Sequence, residues 1–530
     1  MLDLLIKNGN IIDGCGTPAF EGDIAVKDGV IVEIGTINQE AKETIDAKGQ
    51  IVAPGFIDVH GHSDLFAFVD PNRASKLCQG ITTEICGQCG LGPAPVPTGE
   101  ALYQQYAGYL KSLGAPLYPK SKEFTFFGAY LNFMETLPLG INTAYFIPHG
   151  MVRLAVMGLS SEKPSLQQLE QMKELVRDGM EAGVLGLSSG LMYAPGIFAG
   201  EEELTALCEV VGEYGGIYTS HLRDQGRELI ESVAETIRIG KNANVRVNIS
   251  HNKASGKDNW GKVIDVIQMI HEADIPVGHD VYPYTAGSSS LLSTLPHYLQ
   301  NMTPGDILPY LMNKENHETL KDAIFNPSLG FESPLYDCGY EGLIIFHAQT
   351  TLDAVGKSIN QYALELEIDP FQAYLNILID NQLSAGYIGF SMSEDDVKTL
   401  MADSFCMFGT DGLYVEGMPM THPRAIGTFP RILGRYVREE GLLALEEAIR
   451  KMTSLPAQFY GLEGKGQLKV GLDGDLVIFD PDRIMDQADF KKSLLPNVGL
   501  HRVIVDGKVA VADDKPLNER YGKVIRINQT

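Results

Sequence analysis

Nine short apolar runs recur through the centre of this 530-residue chain, and helical periodicity fills several of the gaps between them. The runs are GFIDVH (55–60), GITTEIC (80–86), NTAYFIP (142–148), GVLGLSS (183–189), GIYTSHL (216–222), VRVNISH (245–251), IPVGHDVYP (275–283), LIIFHA (343–348) and FCMFGTD (405–411). Strand–helix alternation repeated about eight times predicts a parallel α/β architecture. Nine candidates are one more than an eight-stranded barrel holds, so at least one run must lie outside it. The clearest helix spans 165–182. Ser165 can cap it with Gln168 three residues on, and Leu166, Leu169, Met172, Leu175, Val176 and Met180 form one stripe. Residues 228–242 behave similarly. The stretch 287–342 breaks the rhythm and reads as an insertion, a candidate lid.

The two ends differ from the middle. Alternating runs broken by Asn8-Gly9, Asp28-Gly29, Asp473-Gly474 and Asp506-Gly507 predict short strands with tight turns, because these residues tolerate positive φ. Two all-β ends around an α/β centre suggest one small domain assembled from both termini.

Composition narrows the function classes. Forty-two basic against 68 acidic residues give a net charge of −26, which repels phosphate backbones and anionic lipid. Neither a nucleic-acid nor a membrane partner is expected. No run approaches the roughly 18 apolar residues of a membrane span, and the N-terminus lacks a signal-peptide pattern. A cytoplasmic location is the expectation. Seven irregularly spaced cysteines argue against a disulfide framework, so an important cysteine should act as thiolate or ligand. GQCGLG (87–92) lacks the helix and lysine of a phosphate cradle, and no G-x-S-x-G elbow occurs.

Ligand-type residues gather at the C-terminal ends of the runs, the face that carries active sites in parallel barrels. These are His60 and His62, Cys86 and Cys89, His221, His251 and Asp411. One histidine after a strand is usually an ordinary polar residue. Five strand ends delivering His, Cys or Asp point to a metal centre. His60 and His62, two residues apart, can share a face and reach one ion.

The segment Pro54-Gly55-Phe56-Ile57-Asp58-Val59-His60-Gly61-His62 resembles the first-strand signature of the amidohydrolase superfamily. GITTEICGQCG (80–90), LGLSSGLMYAPG (185–196), SHLRDQG (220–226), ISHNKASG (249–256), DVYPYTAGS (280–288), GTDG (409–412) and HPRAIGTFPRILG (422–434) are similar to motifs of its D-aminoacylase (N-acyl-D-amino-acid deacylase) branch, in the expected order. The resemblance implies a (β/α)8 TIM-type barrel over 54–464. It also implies a small β-sandwich domain built from 1–53 and 465–530. It implies zinc held tightly by Cys89, His221 and His251, with a second, weaker metal position at His60 and His62 bridged by Cys89. Asp411 matches the catalytic aspartate. Lys253, Arg424 and either Tyr282 or Tyr284 fall in the motifs that bind the substrate carboxylate, and Tyr193 is a candidate pocket wall.

The chemistry suits those roles. Zinc prefers thiolate and imidazole, keeps one position open in catalytic sites, and brings the pKa of bound water to roughly 7. The expected reaction is hydrolysis of the linear amide of an N-acyl-D-amino acid, releasing a carboxylate and a free D-amino acid. The alternatives are a cyclic amide or imide hydrolase of the same superfamily and a non-catalytic scaffold homologue. Cys89 speaks against the first, because that group carries a bridging lysine. The filled ligand positions speak against the second. Cys86, Lys253, Arg424 and His149 each have an ordinary reading as packing or loop residues.

Overall fold

The computed structural model describes residues 1–527 apart from 330 and 332. The two ends of the chain meet in a nine-stranded sheet. Leu2–Ile11 pairs with Phe20–Lys27, Ala41–Asp46 and Ile51–Pro54. Ile51–Pro54 then pairs antiparallel with Leu476–Phe479 from the other end, which continues to Leu500–Val505 and Lys508–Ala512. Buried Leu4, Ile6, Ile24, Val26, Ile478 and Ile504 form one apolar cluster beneath it.

The expected turns divide into two kinds. Asp28-Gly29 and Asp506-Gly507 have both φ values positive and join adjacent antiparallel strands, as primed hairpin turns require. Asn8-Gly9 is not a turn. Asn8 has φ 55° inside the continuous strand Leu2–Ile11, where the register shifts between Ile6 and Gly9, so the pair forms a bulge. Asp473-Gly474 is not a hairpin turn either. Neither residue has positive φ, and Gly474 N donates to Gly29 O at 2.7 Å.

The central strands pair in parallel. Phe56–Asp58, Ile81–Cys86 and Asn142–Tyr145 follow one another. Ile147–Pro148, Gly186–Gly190, Ile217–His221, Arg246–Ile249, Val277–Val281 and Cys406–Phe408 follow in turn. Residues 142–148 belong to both series. Val59 N donates to Phe408 O at 3.3 Å and Gly61 bridges Gly412, which links the first strand to the last.

LIIFHA is the run that lies outside. Leu343–His347 pairs antiparallel with Gly386–Phe390, which also pairs with Ala286–Ser290. The segment from Ala286 to Phe390 therefore folds back on itself between the parallel strands Val277–Val281 and Cys406–Phe408. It extends beyond the expected 287–342, and its core includes Leu291, Leu299, Ile307, Leu335, Leu375 and Leu378.

The helix Leu166–Glu181 carries the expected capping box, with Gln168 N donating to Ser165 Oγ at 3.3 Å and Ser165 N to Gln168 Oε1 at 2.9 Å. Met172, Val176 and Met180 are buried, but Leu166 in the first turn is 86% exposed, so the stripe begins later than its spacing suggests. Among the described residues, no helix is long and apolar enough to cross a membrane.

Candidate metal centre

His60, His62, Cys89, His221, His251 and Asp411 come together from five strand ends. Cys89 Sγ lies 3.2 Å from His60 Nε2, 3.6 Å from His221 Nδ1 and 3.4 Å from His251 Nε2. Asp411 Oδ1 lies 3.1 Å from His62 Nε2 and 3.7 Å from His60 Nε2. All six residues are buried.

The backbone is bent to make this arrangement. Cys89, His251 and Asp411 have φ values of 56°, 36° and 45°, a left-handed conformation uncommon for these side chains. Such strain persists where surrounding structure enforces it, and it clusters at functional sites. Two glycines make room. A Cβ on Gly61 would stand 2.0 Å from Glu84 Oε1, and one on Gly190 would stand 2.1 Å from Cys89 O.

Burial would push the Cys89 thiol up, but the His60 charge and the hydrogen bonds of His221 and His251 hold it well below its ordinary range. Burial likewise disfavours ionised Asp411, but the Arg424 guanidinium together with the histidines beside it outweighs that, holding the carboxyl well below the usual carboxylate range. His251 is pushed down to about 3, first by burial and then by Lys253. The site thus contains a thiolate, a carboxylate and a neutral His251, the ligand forms that bind metal. Against burial, Cys89 and Asp280 raise His60 well above the ordinary imidazole value, and Asp411 and Cys89 raise His62 to about 9, so each would give up a proton on holding a metal.

The donor set fits zinc. His60, Cys89 and His251 place their ligand atoms within 4.8 Å of one another, as do His60, His62 and Asp411. Three buried ring nitrogens, Nδ1 of His60, Nδ1 of His62 and Nε2 of His221, have no hydrogen-bond partner. Thiolate with imidazole is a zinc set, and carboxylate with imidazole completes a harder second group.

Arg424 Nη1 is 2.8 Å from Asp411 Oδ2, and its Nη2 donates to Ser288 Oγ at 3.2 Å. Nε and Nη1 of this buried guanidinium nonetheless lack a properly aligned acceptor. Lys253 Nζ lies 2.8 Å from His251 Nδ1 and donates to Gln225 Oε1 at 3.1 Å. Burial, assisted by Arg424 and opposed by Asp411, draws Lys253 down to about 7. The Tyr282 ring lies beneath both cations, 4.4 Å from Arg424 Cζ and 5.5 Å from Lys253 Nζ.

Tyr284 is not brought to the site. Its hydroxyl donates to Pro423 O at 3.4 Å, its ring stacks on Arg431, and it lines neither cavity at the centre. The chain turns back after Val281, with Tyr284 N donating to Tyr282 O at 2.9 Å, so the two rings do not share a strand face. Tyr193 packs edge-on to His221 with ring centres 4.8 Å apart.

Other candidates lie elsewhere. Cys86 is fully buried in the main apolar core. His149 contacts Glu203 at 2.9 Å and His279 contacts Asp403 at 3.0 Å. His422, to which the sequence assigns no role, accepts from Arg424 N at 3.0 Å and donates to Ala286 O at 2.8 Å, so it holds the start of the arginine helix. Asp280 was also missed. It accepts from His251 N at 2.9 Å and lies 3.4 Å from His60 Nδ1. Its place at a strand end was the available signal.

Two cavities of about 780 and 600 Å³ meet here, and His221, His251, Asp411 and Arg424 line both.

Residues 43–238 and 337–511 match the model of the amidohydrolase family. The chain belongs to that family. Within it, N-acyl-D-glutamate deacylase of Alcaligenes xylosoxydans xylosoxydans is 34% identical over 530 residues, covering 99% of this chain and 96% of that protein. The crystal structure of N-acyl-D-glutamate deacylase from Bordetella bronchiseptica, complexed with zinc and a phosphonate mimic of the tetrahedral intermediate, is 32% identical. It has a TM-score of 0.82 and covers 99% of both chains. A structure of D-aminoacylase, concerned with one-metal activation and second-metal attenuation in its binuclear centre, is 29% identical. It has a TM-score of 0.83 and covers 99% of this chain and 100% of that one. The chain shares with these structures a mixed α/β fold.

Proposed function

We propose that this protein is a zinc-dependent hydrolase of N-acyl-D-amino acids, releasing a carboxylate and a free D-amino acid. The observation that carries the reading is the convergence of His221 and His251 on Cys89 Sγ, beside the Asp411–Arg424 ion pair and the buried Lys253. Full-length similarity to N-acyl-D-glutamate deacylase supports the choice of D-configured substrates.

Cys89, His221 and His251 would hold the tight zinc, and His60 and His62 a second, weaker metal sharing Cys89. When bound, zinc supplies a Lewis acid for the amide carbonyl and lowers the pKa of water. Asp411, kept ionised by Arg424, takes a proton from the attacking water and returns it to the leaving nitrogen. Arg424 and Lys253, with Tyr282 beneath them, receive the α-carboxylate. Arg424 Nε, which has no acceptor, supplies a donor for such an anion. Tyr193 walls the pocket beside His221. Asp280 positions His60 and His251.

The proposed architecture is a (β/α)8 barrel over 54–464, with 1–53 and 465–530 forming a small β-sandwich domain. The parallel strand order, with Gly61 bridging Gly412, supports the barrel. The Ile51–Pro54 pairing with Leu476–Phe479 supports the two-ended domain. A cytoplasmic location is part of the proposal, supported by seven unpaired cysteines.

A panel of N-acetyl-D- and N-acetyl-L-amino acids, assayed alongside zinc analysis of the purified protein, tests the function. Stoichiometric zinc with D-selective hydrolysis is expected. Preference for L-enantiomers would refute the assignment.

A further inference from the structure

The two cavities that meet at the centre differ in chemistry. Of these two, the 600 Å³ cavity is the one lined by Lys253 and Tyr282 among the described residues, and its lining also holds Arg223 and Arg238 with Asp224, Glu228, Glu231, Glu235 and Asp337. Among the described residues, the Lys, Arg, Asp or Glu side chains lining the 780 Å³ cavity are Asp411 and Arg424, at the junction itself. Beyond that junction its lining includes the apolar Leu292, Met302, Ile307, Phe346, Leu413 and Val415, interspersed with Gln300, Thr303 and Ser384.

The remaining wall is one face of the helix Glu100–Ser112. Ala101, Gln104, Gln105, Gly108, Tyr109 and Ser112 line the cavity, a spacing of three and four residues that marks a single face. Tyr106 and Leu110 on the opposite face are buried and anchor the helix to the core. At roughly 1.5 Å per residue the lining face is about 16 Å long. The cavity is therefore an elongated channel, far larger than an acetyl group fills.

A substrate spanning the junction has two unlike halves. The anionic half belongs where Lys253 and Tyr282 lie. The acyl half then projects from the same reacting carbon into the other cavity. We infer that the 780 Å³ channel is an acyl-chain site, making hydrocarbon acyl groups longer than acetyl the preferred N-substituent. This rests on the proposed deacylase reading and specifies its acyl side.

Gly108 provides the test. A Cβ added there meets nothing within 4 Å among the described residues, and its φ is not positive. A larger side chain enters the channel without displacing backbone, and it removes the helix penalty of glycine. The experiment compares kcat/KM of the zinc-loaded enzyme for N-acetyl-, N-butanoyl- and N-octanoyl-D-amino acids over a panel of side chains. Burial gives roughly fourfold per methylene, so six added methylenes should raise kcat/KM by at least about 100-fold. Gly108→Phe should cut the ratio of the octanoyl to the acetyl value at least about tenfold. Gly108→Leu should fall between, and it serves if the Phe variant does not fold.

An acetyl value equal to or above the octanoyl value overturns the acyl channel while leaving the deacylase reading intact. A chain-length preference untouched by both Gly108 variants places the acyl group elsewhere and also overturns it. Hydrolysis of no D-conjugate of any length refutes the deacylase reading, and the channel assignment falls with it.

Discussion

Arg424 Nη1 lies 2.8 Å from Asp411 Oδ2. The proposed proton carrier and a proposed carboxylate-binding residue are therefore each other's counter-charge before any substrate arrives. Removing either one changes the electrostatic setting of the other, so their effects should not add.

Asp411→Asn keeps the shape and removes the base. Its kcat should fall by about 10²–10⁴-fold, the range for general acid–base catalysis, while zinc content stays near wild type. A variant that retained more than about a tenth of kcat would exclude Asp411 as the proton carrier.

Lys253→Ala and Arg424→Ala should each lower kcat/KM for N-acyl-D-amino acids by roughly 10–100-fold, the loss of one charge-assisted contact. The corresponding acyl-D-amino-acid amides lack the carboxylate. They should be poor wild-type substrates and respond much less to Lys253→Ala. Equal sensitivity of acid and amide substrates to Lys253→Ala would remove that lysine from carboxylate binding.

Cys89 and Cys86 should respond differently to alanine. Cys89 Sγ faces three imidazoles, whereas Cys86 is packed in the apolar core. Cys89→Ala should leave a folded protein with little zinc and almost no activity, and Cys86→Ala should keep both. His221→Ala and His251→Ala should lose more zinc than His60→Ala or His62→Ala. Metal analysis and circular dichroism of the purified variants check this ranking.

Lys76 tests the scaffold beneath the centre. Its Nζ donates to Asp58 Oδ2 and to Thr410 Oγ1, each at 2.6 Å, and lies 3.0 Å from Glu84 Oε1. All three charged groups are buried. Lys76→Met leaves two buried carboxylates short of a partner, a change of about 3–5 kcal/mol. Its thermal midpoint should fall by several degrees, and a midpoint within a degree of wild type would contradict that cost.

Asp403 should make stability depend on pH. His271 Nε2 and His279 Nε2 lie 2.5 and 3.0 Å from its two oxygens. Burial opposes its charge, but these contacts win and hold the carboxyl well below its ordinary range. A depressed carboxylate stabilises the fold above its unfolded pKa of about 3.9 and loses that contribution as pH falls toward the folded value. Asp403→Asn should therefore be less stable than wild type at pH 7, with the gap narrowing below about pH 4. Thermal midpoints of both proteins across that range measure it, and a constant gap would rule out the linkage.

The sequence carried much of the site because its signals were local. A run such as VRVNISH states both a strand and the residue at its end, and parallel strands deliver their ends to one face. Thus His60, His62, Cys89, His221, His251 and Asp411 were legible as a set that also held Cys86, and the family resemblance set Cys89 apart from it. Ser165 and Gln168 sufficed for their capping box for the same reason.

Other features depended on partners distant in the chain. LIIFHA has the composition of a parallel strand, and only its pairing with Gly386–Phe390 makes it antiparallel. Asn8-Gly9 has hairpin chemistry, yet the continued pairing of Leu2–Ile11 on both sides turns it into a bulge. Tyr282 and Tyr284 are alike by counting, and the backbone turn after Val281 separates them. The large cavity is walled by residues near 108, 307 and 346, which no local pattern connects. Backbone preference acts over a few residues and can be read along the chain. Pairing, register and the space between packed elements are set by contacts among remote residues, so they exist only once the chain has folded.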